Sequence, residues 1–98
     1  MNHEGPHEIT SFGAWVKRQR NLLGITQATL AQRVGCAVVT IKKIERDERR
    51  PSLQIAQLLA DRLSIPDLYR QDFLHMARGK HVPWHRQEQK RIHPPDSP

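Results

Sequence analysis

The sequence predicts an all-α fold, five short helices in one compact unit. Three observations carry this expectation. Apolar residues recur at i, i+3 and i+4 along most of residues 10–79, the spacing of a helix with one buried face. Ser11, Thr26 and Ser52 each stand just before such a run, where a side-chain oxygen caps the first turn. Gly24, Gly35 and Gly79 each stand just after one, where a helix ends on a left-handed residue. No hairpin signal and no internal repeat interrupts the series.

Taken in order, the polar leader 1–9 with Gly5-Pro6 is expected to be flexible. Ser11 then caps a first helix, 12–23, with Phe12, Trp15, Val16 and Leu22 or Leu23 facing inward, and Gly24 ends it. Thr26 caps a second, 27–34, with Leu30 and Val34 inward and Gly35 closing it. A third runs from about Ala37 to Arg46, with Ile41 and Ile44 inward, and the loop Asp47–Pro51 follows. Ser52 caps the fourth, 53–63, which turns Leu53, Ala56, Leu59, Ala60 and Leu63 inward. Pro66 opens the fifth, suited to a first turn that needs no N–H. It ends near Arg78 and supplies Leu68, Phe73, Met76 and Ala77 to the core. Residues 80–98 have few apolar groups and three prolines among the last five positions, and are expected to form a disordered tail or linker. The domain is therefore 10–79.

Composition narrows the function. Ninety-eight residues with 37% hydrophobic content suit one domain with a small core. The formal charge of +6 favours a polyanionic partner. It belongs mostly to the folded part, where residues 10–79 hold twelve Lys/Arg against six Asp/Glu. A single cysteine, Cys36, cannot form an internal disulfide, which fits a reducing cytoplasm. The start lacks the apolar stretch of a signal peptide, and no apolar run approaches the roughly 20 residues of a membrane span. No acid/base pair, nucleophile arrangement or phosphate-cradling loop appears, so no enzyme and no cofactor is expected. His3/His7 and His81/His85 have i, i+4 spacing, but no Cys or carboxylate set completes a metal site around them. Trp84 is read as an anchor for a partner or the start of a further domain.

The stretch from Thr26 to Leu53, TQATLAQRVGCAVVTIKKIERDERRPSL, is the most specific segment. Two helices that cross steeply need a tight turn, which Gly35 supplies, and a small residue where they approach, which Ala31 supplies. With Ile41 and Ile44 turned inward, the outer arc of the third helix holds Val39, Lys43 and Arg46, flanked by Val38 and Lys42. Two β-branched residues and several cations on one solvent face suit a groove that presents thymine methyls and phosphates.

Arg20, Gly24, Thr26-Gln27, Leu30-Ala31, Gly35, Thr40-Ile41, Ile44-Glu45-Arg46 and Pro51-Ser52-Leu53 follow one another in an order and spacing that resemble a known family. Residues 12–78 resemble the lambda-repressor-like helix-turn-helix domains of the xenobiotic-response-element regulators. The resemblance implies a compact DNA-binding domain with its helix-turn-helix at helices 2 and 3, bound to double-stranded DNA. It implies that Gln27 bonds a phosphate at the start of helix 2. Ala37, Val38, Val39, Thr40 and Lys43 would approach base edges or adjacent phosphates. Lys42, Arg46, Arg49 and Arg50 would meet the backbone or tune the field. Arg20 and Glu45 would form a structural ion pair between helices 1 and 3. Valine cannot hydrogen-bond a base but packs against a thymine methyl, so thymine is expected near Val38 and Val39. Asp47 departs from the family pattern, which has Gly there; Asp tolerates a left-handed backbone better than most residues.

Two other roles fit the same residues. One is a protein-binding module, antitoxin-like or a tethered targeting domain. The other is the N-terminal DNA-binding piece of a larger regulator, since IPDLYRQDFLHMARG resembles the closing helix of such modules. A homodimer is a further expectation, because one recognition helix with about three to five phosphate contacts binds weakly by itself. No small-molecule site is evident.

Overall fold

The computed structural model describes residues 9–79. Within them lie five α-helices: α1 Phe12–Leu22, α2 Gln27–Val34, α3 Val38–Glu45, α4 Leu53–Arg62 and α5 Asp67–Ala77. Each is within a residue or two of its expected span, and the described residues contain no strand. The expectations for the leader up to Glu8, for the tail from Lys80, for both histidine pairs and for Trp84 lie outside the described residues.

Side chains set three of the helix starts. Ser11 Oγ accepts the Ala14 N–H at 3.0 Å, Thr26 Oγ1 that of Thr29 at 3.0 Å, and Ser52 Oγ that of Ile55 at 3.2 Å. Each bond satisfies a first-turn donor that the helix itself cannot.

α1, α3 and α4 share one ending. A left-handed residue follows the cap: Gly24 (φ 70°), Asp47 (φ 61°) and Ser64 (φ 57°). The next N–H then reaches back across the last turn, from Ile25 to Arg20 O (3.3 Å), Glu48 to Lys43 O (2.8 Å) and Ile65 to Ala60 O (3.0 Å). This ending commonly folds the following apolar residue back onto the helix. Ile65 is accordingly buried and Ile25 packs against the core, two contributions absent from the expected core list.

The core centres on aromatics. The Phe73 ring lies 4.7 Å from that of Phe12, tilted by 55°, and 5.0 Å from that of Trp15, nearly edge-on at 80°. These are the offset geometries that aromatic pairs favour, and they bind α1 to α5. Ile9, the last leader residue, also packs against this core.

Three expected core contributions are corrected. Leu22 is 66% exposed and Leu23 is exposed as well. The inward slot one turn earlier holds Gln19, whose Nε2 donates to Leu63 O at 3.0 Å, so the apolar stripe of α1 stops before it reaches them. Leu53, the first residue of α4, lies at the end of the Ala56–Leu59–Leu63 stripe and stays half in solvent. Leu68 is 80% exposed. The buried stripe of α5 runs through Tyr69, Phe73, Met76 and Ala77, and a residue one position away points about 100° off it.

Candidate nucleic-acid interface

The geometry of α3 follows from its packing on α2. Ala31 is buried at the crossing, and its carbonyl accepts from both Gly35 N (2.8 Å) and Cys36 N (3.0 Å) across the turn. Gly35 there has φ 88°, a conformation that costs any other residue more. The same end of α2 is held to α4, where Arg62 Nε donates to Arg33 O at 3.2 Å. Ile41 and Ile44 are fully buried.

With those two turned in, helical periodicity fixes what turns out. Val38, Val39 (53% exposed), Lys42 and Lys43 lie in solvent along α3, with Thr40 half-buried among them. Arg46, the cap residue, and Arg49 extend the cationic face beyond the helix, and both are exposed. Ala37 precedes α3 as its N-cap, exposed and with no side chain to accept a first-turn N–H. The positive end of α3 therefore carries no side-chain cap, and of its first-turn donors Thr40 N–H turns back to Ala37 O at 3.0 Å.

Behind this face lies a connected polar group. Arg20 Nε donates to Glu45 Oε2 at 2.7 Å and Nη2 to Oε1 at 3.2 Å, while Nη1 donates to Ile25 O at 2.9 Å. The side chains of Arg20 and Glu45 retain only 12% and 3% of their exposure. One guanidinium thus ties α1 to the α1–α2 turn and to the end of α3 in a two-pronged geometry. Gln27, at the start of α2, adds a third donor to the same carboxylate, Nε2 to Oε1 at 3.0 Å.

A second clamp sits at the opposite pole of α1. Gly13 N–H donates to Asp47 Oδ1 at 2.9 Å, so a carboxylate from the loop after α3 caps the positive end of α1. That bond accounts for aspartate at a left-handed position where the family pattern has glycine. The helices meet so closely that a Cβ on Gly13 would collide with Ile44 O and fall 2.6 Å from Glu45 O. Arg50 is exposed too, and its guanidinium lies over Gly79, where a Cβ would come within 2.6 Å of Nη2.

Sequence reasoning placed the outer face of α3 but missed the Gln27–Glu45 bond and the Gly13–Asp47 clamp. Glycine in the first turn of a helix, where alanine serves better, is the signal that marks such a close approach. Cys36 is half-buried beside the start of α3; burial pushes its thiol above the usual range, and the Arg49 charge pulls it partly back. Among the described residues no cluster of three or more His, Cys, Asp or Glu could hold a metal ion. No helix among them is long and apolar enough to cross a membrane.

A family model described as Helix-turn-helix matches residues 16–69, from α1 into α5 and more than half of the chain. No curated protein and no solved structure matches. The matched span contains the α2–turn–α3 unit, the Arg20–Glu45 pair and the whole outer face of α3. The chain belongs to the lambda-repressor-like, xenobiotic-response-element type of helix-turn-helix family, whose members are DNA-binding transcriptional regulators.

Proposed function

We propose that this protein regulates transcription by laying α3 in the major groove of operator DNA, acting by occupancy and without chemistry. One observation carries the reading. Ile41 and Ile44 lock one side of α3 into the core, and that forces Val38, Val39, Lys42 and Lys43 outward together. In this placement Ala37, Val38, Val39, Thr40 and Lys43 meet base edges and nearby phosphates. Gln27 bonds a phosphate at the start of α2, and Lys42, Arg46 and Arg49 lie along the backbone. The valines favour thymine methyls over hydrogen-bond patterns, so sequence choice is modest and affinity leans on phosphates.

The test is an anisotropy titration of a labelled duplex across salt concentrations. Three to five phosphate contacts give a slope of log K against log salt of about −3 to −4.5. Lys43→Ala combined with Gln27→Ala weakens binding; binding unchanged by the pair sinks the assigned mechanism. Selection from randomised duplexes should enrich thymine, and its absence would remove the valine assignment.

A dimer on a two-fold site, with half-sites about 34–36 Å apart, would strengthen such binding. Leu22 and Leu68, large apolar residues left in solvent at the end of α1 and the start of α5, are the points we would test for contact with a second copy or another protein. Sedimentation of the full chain with and without duplex, repeated with Leu68→Lys, tests this.

A further inference from the structure

Gln27 is where the scaffold and the proposed DNA contact meet. Its carboxamide carries one acceptor oxygen and an amino group with two donors, and the carboxylate of Glu45 only accepts. The group turned toward Glu45 must therefore be the amino group, and Nε2 lies 3.0 Å from Oε1. A glutamine in open solvent has no such preference and samples many rotamers. Here one N–H is engaged by Glu45 and the second is left to point away from it. Glu45 cannot drift, because Arg20 grips both of its oxygens and the carboxylate is almost wholly buried.

We propose that Glu45 is a positioning residue for DNA: through Gln27 it aims the free amide N–H at a phosphate oxygen beside the start of α2. This rests on the DNA reading above and deepens it. The ion pair then has two tasks, joining α1 to α3 and orienting a contact that α3 itself does not make. Because the side chain is already ordered in the free protein, little of its freedom is left to lose on binding. Because Gln27 is neutral, its contact releases no counterion. Its removal lowers affinity and leaves the salt slope unchanged, whereas removal of Lys43 makes the slope shallower by about 0.9.

The experiment uses the full chain and a labelled duplex, with wild type, Gln27→Ala, Glu45→Gln and the double variant. Hydrogen bonds to a charged group lead us to expect about a tenfold loss for Gln27→Ala. Glu45→Gln, whose new amide no longer dictates which end of Gln27 faces it, should lose severalfold. The double variant should bind no worse than Gln27→Ala, since both changes remove one contact. Strictly multiplicative losses in the double variant would overturn the proposal. The wild-type protein gives a readout independent of whether Glu45→Gln folds: the two Nε2 protons of Gln27, followed by ¹H–¹⁵N spectroscopy. In the free protein one should be displaced by the carboxylate, and added duplex should shift the other. A Gln27 amide unmoved by a duplex that binds also overturns the proposal. A wild-type protein that binds no duplex at low salt instead removes the DNA reading itself, a separate and recognisable result.

Discussion

Substituting Gly13 by alanine sets packing against helix propensity. Gly13 lies inside α1, where alanine is worth up to about 1 kcal/mol over glycine. The neighbours argue the other way. A Cβ there would collide with Ile44 O, lie 2.6 Å from Glu45 O and 2.8 Å from Asp47 Oδ1. Ordinary C···O contacts begin near about 3.3 Å. Two of the three atoms are backbone carbonyl oxygens in the last turn of α3, so they cannot swing aside as a side-chain tip could. Relief requires α1 and α3 to separate, an overpacking cost of about 1–3 kcal/mol. Separation also weakens the Gly13–Asp47 capping bond, worth about 1 kcal/mol. Set against the propensity gain, the net loss is about 1–3 kcal/mol. For a domain of this size each kcal/mol moves the melting midpoint by roughly 4–8 °C. Thermal and urea melts followed by far-ultraviolet circular dichroism measure it, with the urea slope expected to stay the same. A midpoint equal to or above that of the wild type refutes the close approach of α1 and α3.

Other perturbations test other parts of the account. Arg20→Met leaves the buried Glu45 carboxylate without its cation and should cost about 3–5 kcal/mol by urea denaturation, with much of it recovered when Glu45 is also made apolar. Asp47→Ala loses the cap on α1 and places alanine at a left-handed backbone, for a loss of about 1–3 kcal/mol, while Asp47→Asn should retain most of the stability. The Cys36 thiol should react with iodoacetamide more slowly in the native than in the urea-unfolded protein, and more slowly still after Arg49→Ala removes a charge that favours thiolate. Since folding raises that thiol's pKa, its contribution is present below the unfolded value and is lost as pH climbs through the unfolded toward the folded value. The stability of the wild type relative to Cys36→Ser should fall across that alkaline range, and a difference that stays constant would contradict the raised thiol pKa.

The sequence shows helix starts and stops most clearly where one residue type has one physical use. Ser11, Thr26 and Ser52 cap, and Gly24, Gly35 and Gly79 close, because few other residues do either as well. Ser64 closes α4 in the same left-handed conformation without announcing it, since serine is at home in many other places. The buried stripe was legible at Ile41 and Ile44, where neighbouring polar residues frame it. It was not legible at Leu22, Leu53 and Leu68, because a leucine at the right period is buried only where another helix lies over it. Ile25 and Ile65 enter the core by the turn geometry that follows a left-handed residue and not by helical period, so a periodic pattern passes over them. At the candidate site the outward residues of α3 follow from its inward ones. The links from Gln27 to Glu45 and from Asp47 to Gly13 span 18 and 34 positions and depend on how the helices cross, which no local pattern encodes.

The central claim is that the outer face of α3 is the surface that meets DNA. Backbone amide shift mapping of the ¹⁵N-labelled protein, titrated with a short duplex at low salt, tests it most directly. The largest changes are expected at Gln27 and from Ala37 to Lys43, extending to Arg46 and Arg49, whether or not a second copy joins through Leu22 and Leu68. Shifts concentrated at Leu22 and Leu68, with α3 unmoved, would contradict it.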